Sequence, residues 1–220
     1  MAIDYYNQVA PRYEKQFYPD TTSSHYKVAR KGLYAVCASG MGPGKNVLEL
    51  GCGTGVYTRL FLATGANVLS VDGSSGMLAI AKKKVNANFM LMDINKLSFD
   101  PVFDCVVGIY ILQYVDIQNV LARVYHVLKP GGVAVFIESN VFNPVTLWYA
   151  AKNQVAHPLP RWRYASIMKK IGFSNIKTWP FEFMPTFMDK LDFLPLTVFM
   201  EKIPLLKELA GSVFVTGVTV

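Results

Sequence analysis

Val47-Leu48-Glu49-Leu50-Gly51-Cys52-Gly53-Thr54-Gly55 is an apolar run that breaks into three alternating glycines. A short continuous apolar run of this kind reads as a strand buried on both faces. Residues 57–63 follow with apolar side chains at helical spacing. Glycines between a strand and a helix let the backbone pass close to a ligand, and the start of the helix offers unpaired N–H groups. The spacing is GxGxG rather than the GxGxxG of dinucleotide folds. On its own such a turn is weak evidence, because many nucleotide-binding sheets carry one.

Outward from this turn, short apolar runs alternate with helical patterns. Strands are expected at 47–50, 68–71, 89–92, 105–109 and 133–137, and helices at 57–63, 77–84 and 120–128. A helix at 161–171, a strand at 173–178 and a last strand at 213–220 complete the count. Alternation of this kind implies an α/β fold, a doubly wound, seven-stranded and mostly parallel sheet. Residues 3–40 read as helical, broken at Pro19-Asp20 and stopped near Gly40 and Pro43-Gly44. The stretch 181–209 breaks the rhythm. Rich in Phe, Met, Leu and Pro, it reads as short helices inserted before the last strand. The expectation is one domain over 1–220, with a helical cap (1–40), a cofactor-binding core (46–140) and a substrate side with closing strands (141–220).

The chain has 220 residues, 52% of them hydrophobic and 17% charged, which excludes a disordered chain. Lys and Arg number 22 against 15 acids, a net charge of +7 that favours contact with anions such as nucleotides, phospholipid headgroups or nucleic acid. Cys37, Cys52 and Cys105 are too scattered for a disulfide framework or a zinc site, so a reducing, intracellular setting is expected. Asp4, Arg12, Glu14 and Lys15 speak against a signal peptide. The charge-poor stretch 209–220 is shorter than the roughly 18–20 residues a membrane span needs.

Two acids follow the glycine turn. Asp72 ends the second strand, where a carboxylate can accept both ribose hydroxyls of a nucleoside lying across the strand ends. Asp93 ends the third, placed to accept from the exocyclic amine of adenine while Ile94 packs on the ring face. The plainer alternative for either is a helix N-cap or turn former.

At this point the chain resembles a known family. Residues 47–55 look like the first motif of class I S-adenosylmethionine-dependent methyltransferases. Asp72-Gly73-Ser74-Ser75-Gly76-Met77-Leu78-Ala79-Ile80-Ala81 resembles its D-x-S-x-x-M-L-x-x-A segment. Phe103-Asp104-Cys105-Val106-Val107 is similar to its fourth strand, and Leu128-Lys129-Pro130-Gly131-Gly132 to the turn before its fifth. Tyr13-Glu14 is similar to the Y-D/E that often precedes this core. The resemblance covers 46–140 and implies a Rossmann-like methyltransferase fold that binds S-adenosyl-L-methionine and releases S-adenosyl-L-homocysteine. It implies that Gly51, Gly53 and Gly55 lie along the methionine part and that Glu49 orients it. Asp72 would take the ribose, Met77 would pack near the adenine, and Asp93 would take the adenine amine. Tyr110 would sit near the sulfonium, where an aromatic face suits a cation.

The chain departs from the family after the fourth strand. A common v-L-x-H-v pattern reads Ile111-Leu112-Gln113-Tyr114-Val115, so a histidine base is missing there. The N/D-P-P-Y/F motif of enzymes that methylate adenine or glutamine nitrogen is replaced by Gly108-Ile109-Tyr110-Ile111. His25, His126 and His157 read as surface or core residues, although His157, before Pro158 in a basic loop, could act as a base. Methyl transfer does not require one, because the sulfonium is itself a strong electrophile and the protein mainly aligns the acceptor.

Residues 139–181 hold no acid but carry Lys152, Arg161, Arg163, Lys169, Lys170 and Lys177, interleaved with Trp148, Tyr149, Trp162 and Tyr164. A solvated helix face is the plain reading. The mixture also suits a membrane interface or RNA. The apolar stretch that follows favours a small, apolar or lipid-like acceptor, with peripheral membrane contact, over nucleic acid. The N-terminal helices and 181–209 are expected to form a lid over the transfer site, with the basic stretch at its mouth. The expected location is the cytoplasm, and the oligomeric state is left open. The competing readings are a dehydrogenase, a non-catalytic S-adenosylmethionine-binding partner subunit, and an RNA methyltransferase.

Overall fold

A computed structural model describes residues 2–20, 22–153, 156–182, 203 and 207–220. Seven strands form one sheet: β1 (Asn46–Leu50), β2 (Asn67–Asp72), β3 (Asn88–Leu91), β4 (Phe103–Ile109), β5 (Leu128–Ser139), β6 (Ser174–Phe181) and β7 (Ser212–Val218). Their order is β3-β2-β1-β4-β5-β7-β6. The first five are parallel, and β7 runs antiparallel between β5 and β6. The expected doubly wound, mostly parallel sheet is therefore present. Sequence order reverses between β1 and β4, and in open α/β sheets the ligand crevice lies outside the strand ends at such a switch.

The inner strands β1, β4 and β5 read as apolar runs because both faces are covered, whereas β3, at the sheet edge, leaves Met90 and Leu91 exposed despite its apolar sequence. Val47, Val107, Val135 and Ile137 point to one layer with Phe61 and Ala35. Leu48, Leu50, Val106, Ala134 and Phe136 point to the other, with Leu121, Val124, Tyr164 and Met168. The first layer uses α3 (Thr22–Ser39) and α4 (Thr58–Leu62); the second uses α6 (Ile117–Val127) and α8 (Arg161–Ile171). Between β2 and β3 runs α5 (Ser75–Lys84), started by Ser74, whose hydroxyl accepts from Met77 N–H.

The cap is less continuous than the helical reading of 3–40 implies. It divides into α1 (Ala2–Val9), a 3-10 turn at Ala10–Arg12, α2 (Tyr13–Phe17) and α3. Pro11 has no N–H to donate, which suits a first turn and ends the run before it. Val9 and Ala10 then dock on Met77, with Tyr6 and Tyr13 packed around them. Strand β5 begins earlier than 133 because Leu128 pairs with Phe103. The register shifts before Cys105 meets Val133, and Gly131 takes φ +76° between them. One helix, α7 (Pro144–Asn153), was not anticipated. The short helices expected within 181–209 lie outside the described residues, apart from the segment's ends.

Phe136 is fully buried at the centre of the sheet. Phe136→Ala should lower unfolding free energy by about 3–5 kcal/mol. Val220, which is exposed, should tolerate Ala to within about 0.5 kcal/mol. Urea unfolding of both variants checks the contrast.

Candidate functional site

Beyond the ends of β1 and β4 the glycine turn is drawn tightly against its neighbours. Gly51 and Cys52 N–H donate to Val71 O at 2.8 and 3.1 Å. Gly51 has φ +68°, and a Cβ there would meet Ile111 Cδ1 at 2.6 Å. Gly53 also has positive φ and faces open space, with Tyr13 Cε1 the nearest atom at 4.0 Å. Gly55 instead packs the turn on α5, where a Cβ would approach Val85 and Ala81.

Asp72 Oδ2 accepts from Gly53 N–H and Oδ1 from Ser74 N–H, both at 2.8 Å. Burial raises its pKa against the pull of these two donors. Asp93 Oδ1 accepts from the backbone N–H and side-chain amide of Asn95, capping a 3-10 turn. Its helix-cap role and its place at the cavity edge thus coexist.

A cavity of about 270 Å³ lies here. Gly51, Gly53, Asp72, Met77, Asp93, Ile94 and Tyr110 all line it, so the structure brings together most of the residues singled out in the sequence. Glu49 and Gly55 do not line it. Glu49 is buried beneath the turn, where Oε2 accepts from Thr58 Oγ1 and Ser70 Oγ at 2.6 Å. Burial pushes its pKa up to about 7, against the stabilising effect of those hydroxyls. Glu49 therefore ties β1 to β2 and α4 from behind.

The cap closes the cavity with Ile3, Tyr6 and Tyr13. Asn7 Oδ1 accepts from Ser74 Oγ at 2.7 Å and from Gly76 N–H at 3.1 Å, fastening α1 to the start of α5. No periodicity or motif distinguishes Asn7 in the sequence.

A second cavity, about 450 Å³, adjoins the first and shares Tyr6, Tyr13, Tyr110 and Tyr114 with it. These tyrosines form the partition. Tyr6 meets Tyr13 and Tyr114 edge-on, with ring centroids 6.0 and 5.3 Å away. Tyr110 stands at φ +55°, and its hydroxyl lies 2.6 Å from Ser212 Oγ. Such a backbone conformation is uncommon for a non-glycine residue and is concentrated at functional sites. Lys31 Nζ sits 5.3 Å from the Tyr110 ring centroid and pairs with Glu182 Oε2 at 2.5 Å. Lys31 and Glu182 are both buried and line the second cavity with Lys27, Gln113 and Asn143. Glu182 also accepts Gly211 N–H through its backbone O at 2.6 Å, so the start of the expected insertion meets the residue just before β7 at this cavity.

Of the histidines, His25 lies beside Asp20 in solvent and His157 uses its backbone N–H on Gln113 O. None of the three lines either cavity.

Glu138, fully buried at the end of β5, accepts from Ile111 and Leu112 N–H through Oε1. Its Oε2 has no hydrogen-bond partner among the described residues. Burial pushes its pKa up to about 8, the backbone donors opposing. An acid closing an apolar strand, as Glu49 and Asp72 also do, was the sequence signal that could have marked it. Because the folded pKa values of Glu138 and Glu49 exceed the ordinary 4.5, both favour folding below that pH and lose this contribution as pH rises towards 7 and 8. Stability should fall as pH rises through that interval. Glu138→Gln keeps the Oε1 acceptor and should flatten the slope, as read by thermal unfolding at a series of pH values.

The sequence matches the methyltransferase domain family over residues 47–132. It is 35% identical over 103 residues to a malonyl-[acyl-carrier protein] O-methyltransferase of Serratia marcescens, across 44% of this chain and 40% of that protein. The chain thus spans well under half the length of that relative. It is 31% identical over 176 residues to the ubiquinone/menaquinone biosynthesis C-methyltransferase UbiE of Erwinia tasmaniensis, across 73% of this chain and 68% of that protein. Among solved structures, Haemonchus contortus phosphoethanolamine N-methyltransferase 2 in complex with S-adenosyl-L-methionine superposes with a TM-score of 0.67 and 22% identity, over 86% of this chain and 52% of that one. That likeness concerns the fold. With the glycine turn, the acid at the end of β2 and the reversed strand order in place, the chain belongs to the class I S-adenosylmethionine-dependent methyltransferase family.

Proposed function

We propose that this chain transfers a methyl group from S-adenosyl-L-methionine, held in the first cavity, to a small lipid-like acceptor in the second. The observation that carries this reading is the pair of cavities with four tyrosines common to their linings. The first cavity fits the cofactor's chemistry. A carboxylate has about four lone-pair sites, and Asp72 uses two on Gly53 and Ser74, which leaves two for a ribose diol. Gly53 leaves an open backbone edge for the methionine part. Met77, Ile94 and Asp93 frame the place for adenine, and Asp93 retains acceptor capacity beyond Asn95. Glu49 and Gly55 act from behind, by fixing the turn.

When bound, the cofactor supplies an electrophilic methyl on a sulfonium. The protein's share is to orient and to exclude water. Tyr110 belongs to both cavities, with Lys31 near its ring and Ser212 fixing its hydroxyl, so its ring is held in one orientation. The second cavity combines Trp148 and the tyrosines with Lys27, Lys31 and Glu182. Such a lining suits an apolar body with a polar or anionic end. The Erwinia relative is named for ubiquinone/menaquinone biosynthesis and the Serratia relative for a malonyl-[acyl-carrier protein], and the former supports a lipid-like acceptor. No helix among the described residues is long and apolar enough to cross a membrane. We read 1–220 as one catalytic domain acting in the cytoplasm.

Incubation of a lipid extract with the protein and S-adenosyl-L-methionine, followed by mass spectrometry, should reveal a species that has gained one methyl group. Cofactor binding without any such product would favour a non-catalytic partner instead. Asp72→Ala should weaken S-adenosyl-L-homocysteine binding by about 1.5–3 kcal/mol; unchanged affinity in calorimetry of the folded variant would remove Asp72 from the site. In the parent protein S-adenosyl-L-homocysteine should raise the melting temperature and NAD should not.

A further inference from the structure

Helix α7 turns its apolar side outward. Among its described side chains Pro144, Leu147, Trp148, Ala151 and Lys152 are exposed, at the spacing of a single helical face. Val145, Thr146 and Ala150, on the opposite side, are half-buried and line the second cavity, whose rim Trp148 reaches from the exposed side. A surface helix ordinarily buries its apolar stripe and exposes its polar one. Here Leu147 is 50% and Trp148 63% exposed, and Lys152 lies over the Trp148 ring at 5.1 Å.

The patch continues onto α8. Phe142, just before α7, stacks on Trp162 in the first turn of α8 with centroids 5.3 Å apart, and both are largely exposed. From Trp162 the exposed face of α8 passes through Arg163 and Ser166 to Lys169 and Lys170. The one acid that reaches this region among the described contacts, Glu208, pairs with Arg161 at 3.1 Å, so Arg161 is not counted. Exposed aromatic and aliphatic side chains beside a row of cations with no acid partner among the described residues match the boundary of an anionic bilayer, apolar inside and negative outside.

We propose that α7 and the start of α8 form a membrane-docking face for anionic phospholipid, which lays the apolar side of α7 into the headgroup boundary. Docking requires nothing of the catalytic reading. Only its consequence rests on that reading: because the inner side of α7 lines the second cavity, a lipid-like acceptor could pass from bilayer to site along one helix.

The test is flotation of the full chain with phosphatidylcholine vesicles, with and without about one-third phosphatidylglycerol. The protein should float with the anionic vesicles, weakly or not at all with the neutral ones, and lose binding as salt rises. The double variant Leu147→Glu/Lys152→Glu should bind anionic vesicles about tenfold or more weakly, while its affinity for S-adenosyl-L-homocysteine in calorimetry stays unchanged and shows that it folds. Equal flotation of variant and parent, or no flotation of either, overturns the proposal. So does binding of single-stranded RNA without vesicle binding, or a dimer of the parent that Leu147→Glu dissociates, since either gives the face to another occupant. Failure of the methyl-gain assay with vesicle binding intact would remove the catalytic reading and leave this one standing.

Discussion

Asp72 holds two turns together. One oxygen takes the N–H of Gly53, in the turn after β1, and the other takes the N–H of Ser74, in the turn after β2. Both loops at the crevice are thereby set to one carboxylate. Gly51 and Cys52 reinforce the join through Val71 O. The bonds are charge-assisted and partly shielded from water, where they are stronger than their exposed counterparts. Everything later in the site depends on this spacing. The start of α5 follows from Ser74, the place of Met77 follows from α5, and the cap docks on both.

Beneath this join the molecule keeps carboxyl groups where water does not reach. Glu49 below the glycine turn and Glu138 below the turn after β4 each satisfy one oxygen from neighbouring elements. Their pKa values are raised by burial, so near neutral pH they retain a proton more readily than free carboxyls. Each fixes a loop that carries cavity residues, Glu49 the glycines and Glu138 the chain from Ile111 to Gln113. The site is thus supported from inside the sheet.

The core of this arrangement was legible because it is local. Buried parallel strands must be apolar on both faces, so β1, β2, β4 and β5 announce themselves, and the glycines and Asp72 lie within or just after such runs. The motif could not separate lining from support. Gly53 and Gly55 look alike in sequence, yet one faces open space and the other faces Ala81 and Val85. Glu49 reads like a ligand contact in the sequence, and in the fold it lies behind the cavity on Thr58 and Ser70. The second cavity was illegible for a different reason. Tyr6, Lys31, Tyr114 and Glu182 come from four distant stretches, and no period or spacing connects them until the chain is folded. Helix α7 leaves little core pattern in the sequence because its exposed apolar positions do not serve a core.

The shared tyrosines make the two cavities mechanically dependent. Tyr6 and Tyr13 belong to the cap, and the cap is fastened at the first cavity by Asn7 on Ser74 and Gly76. The cap therefore supplies two of the four tyrosines that the cavities share. One segment lines both sites, and a ligand can bias the binding of another only through differential contact of this kind.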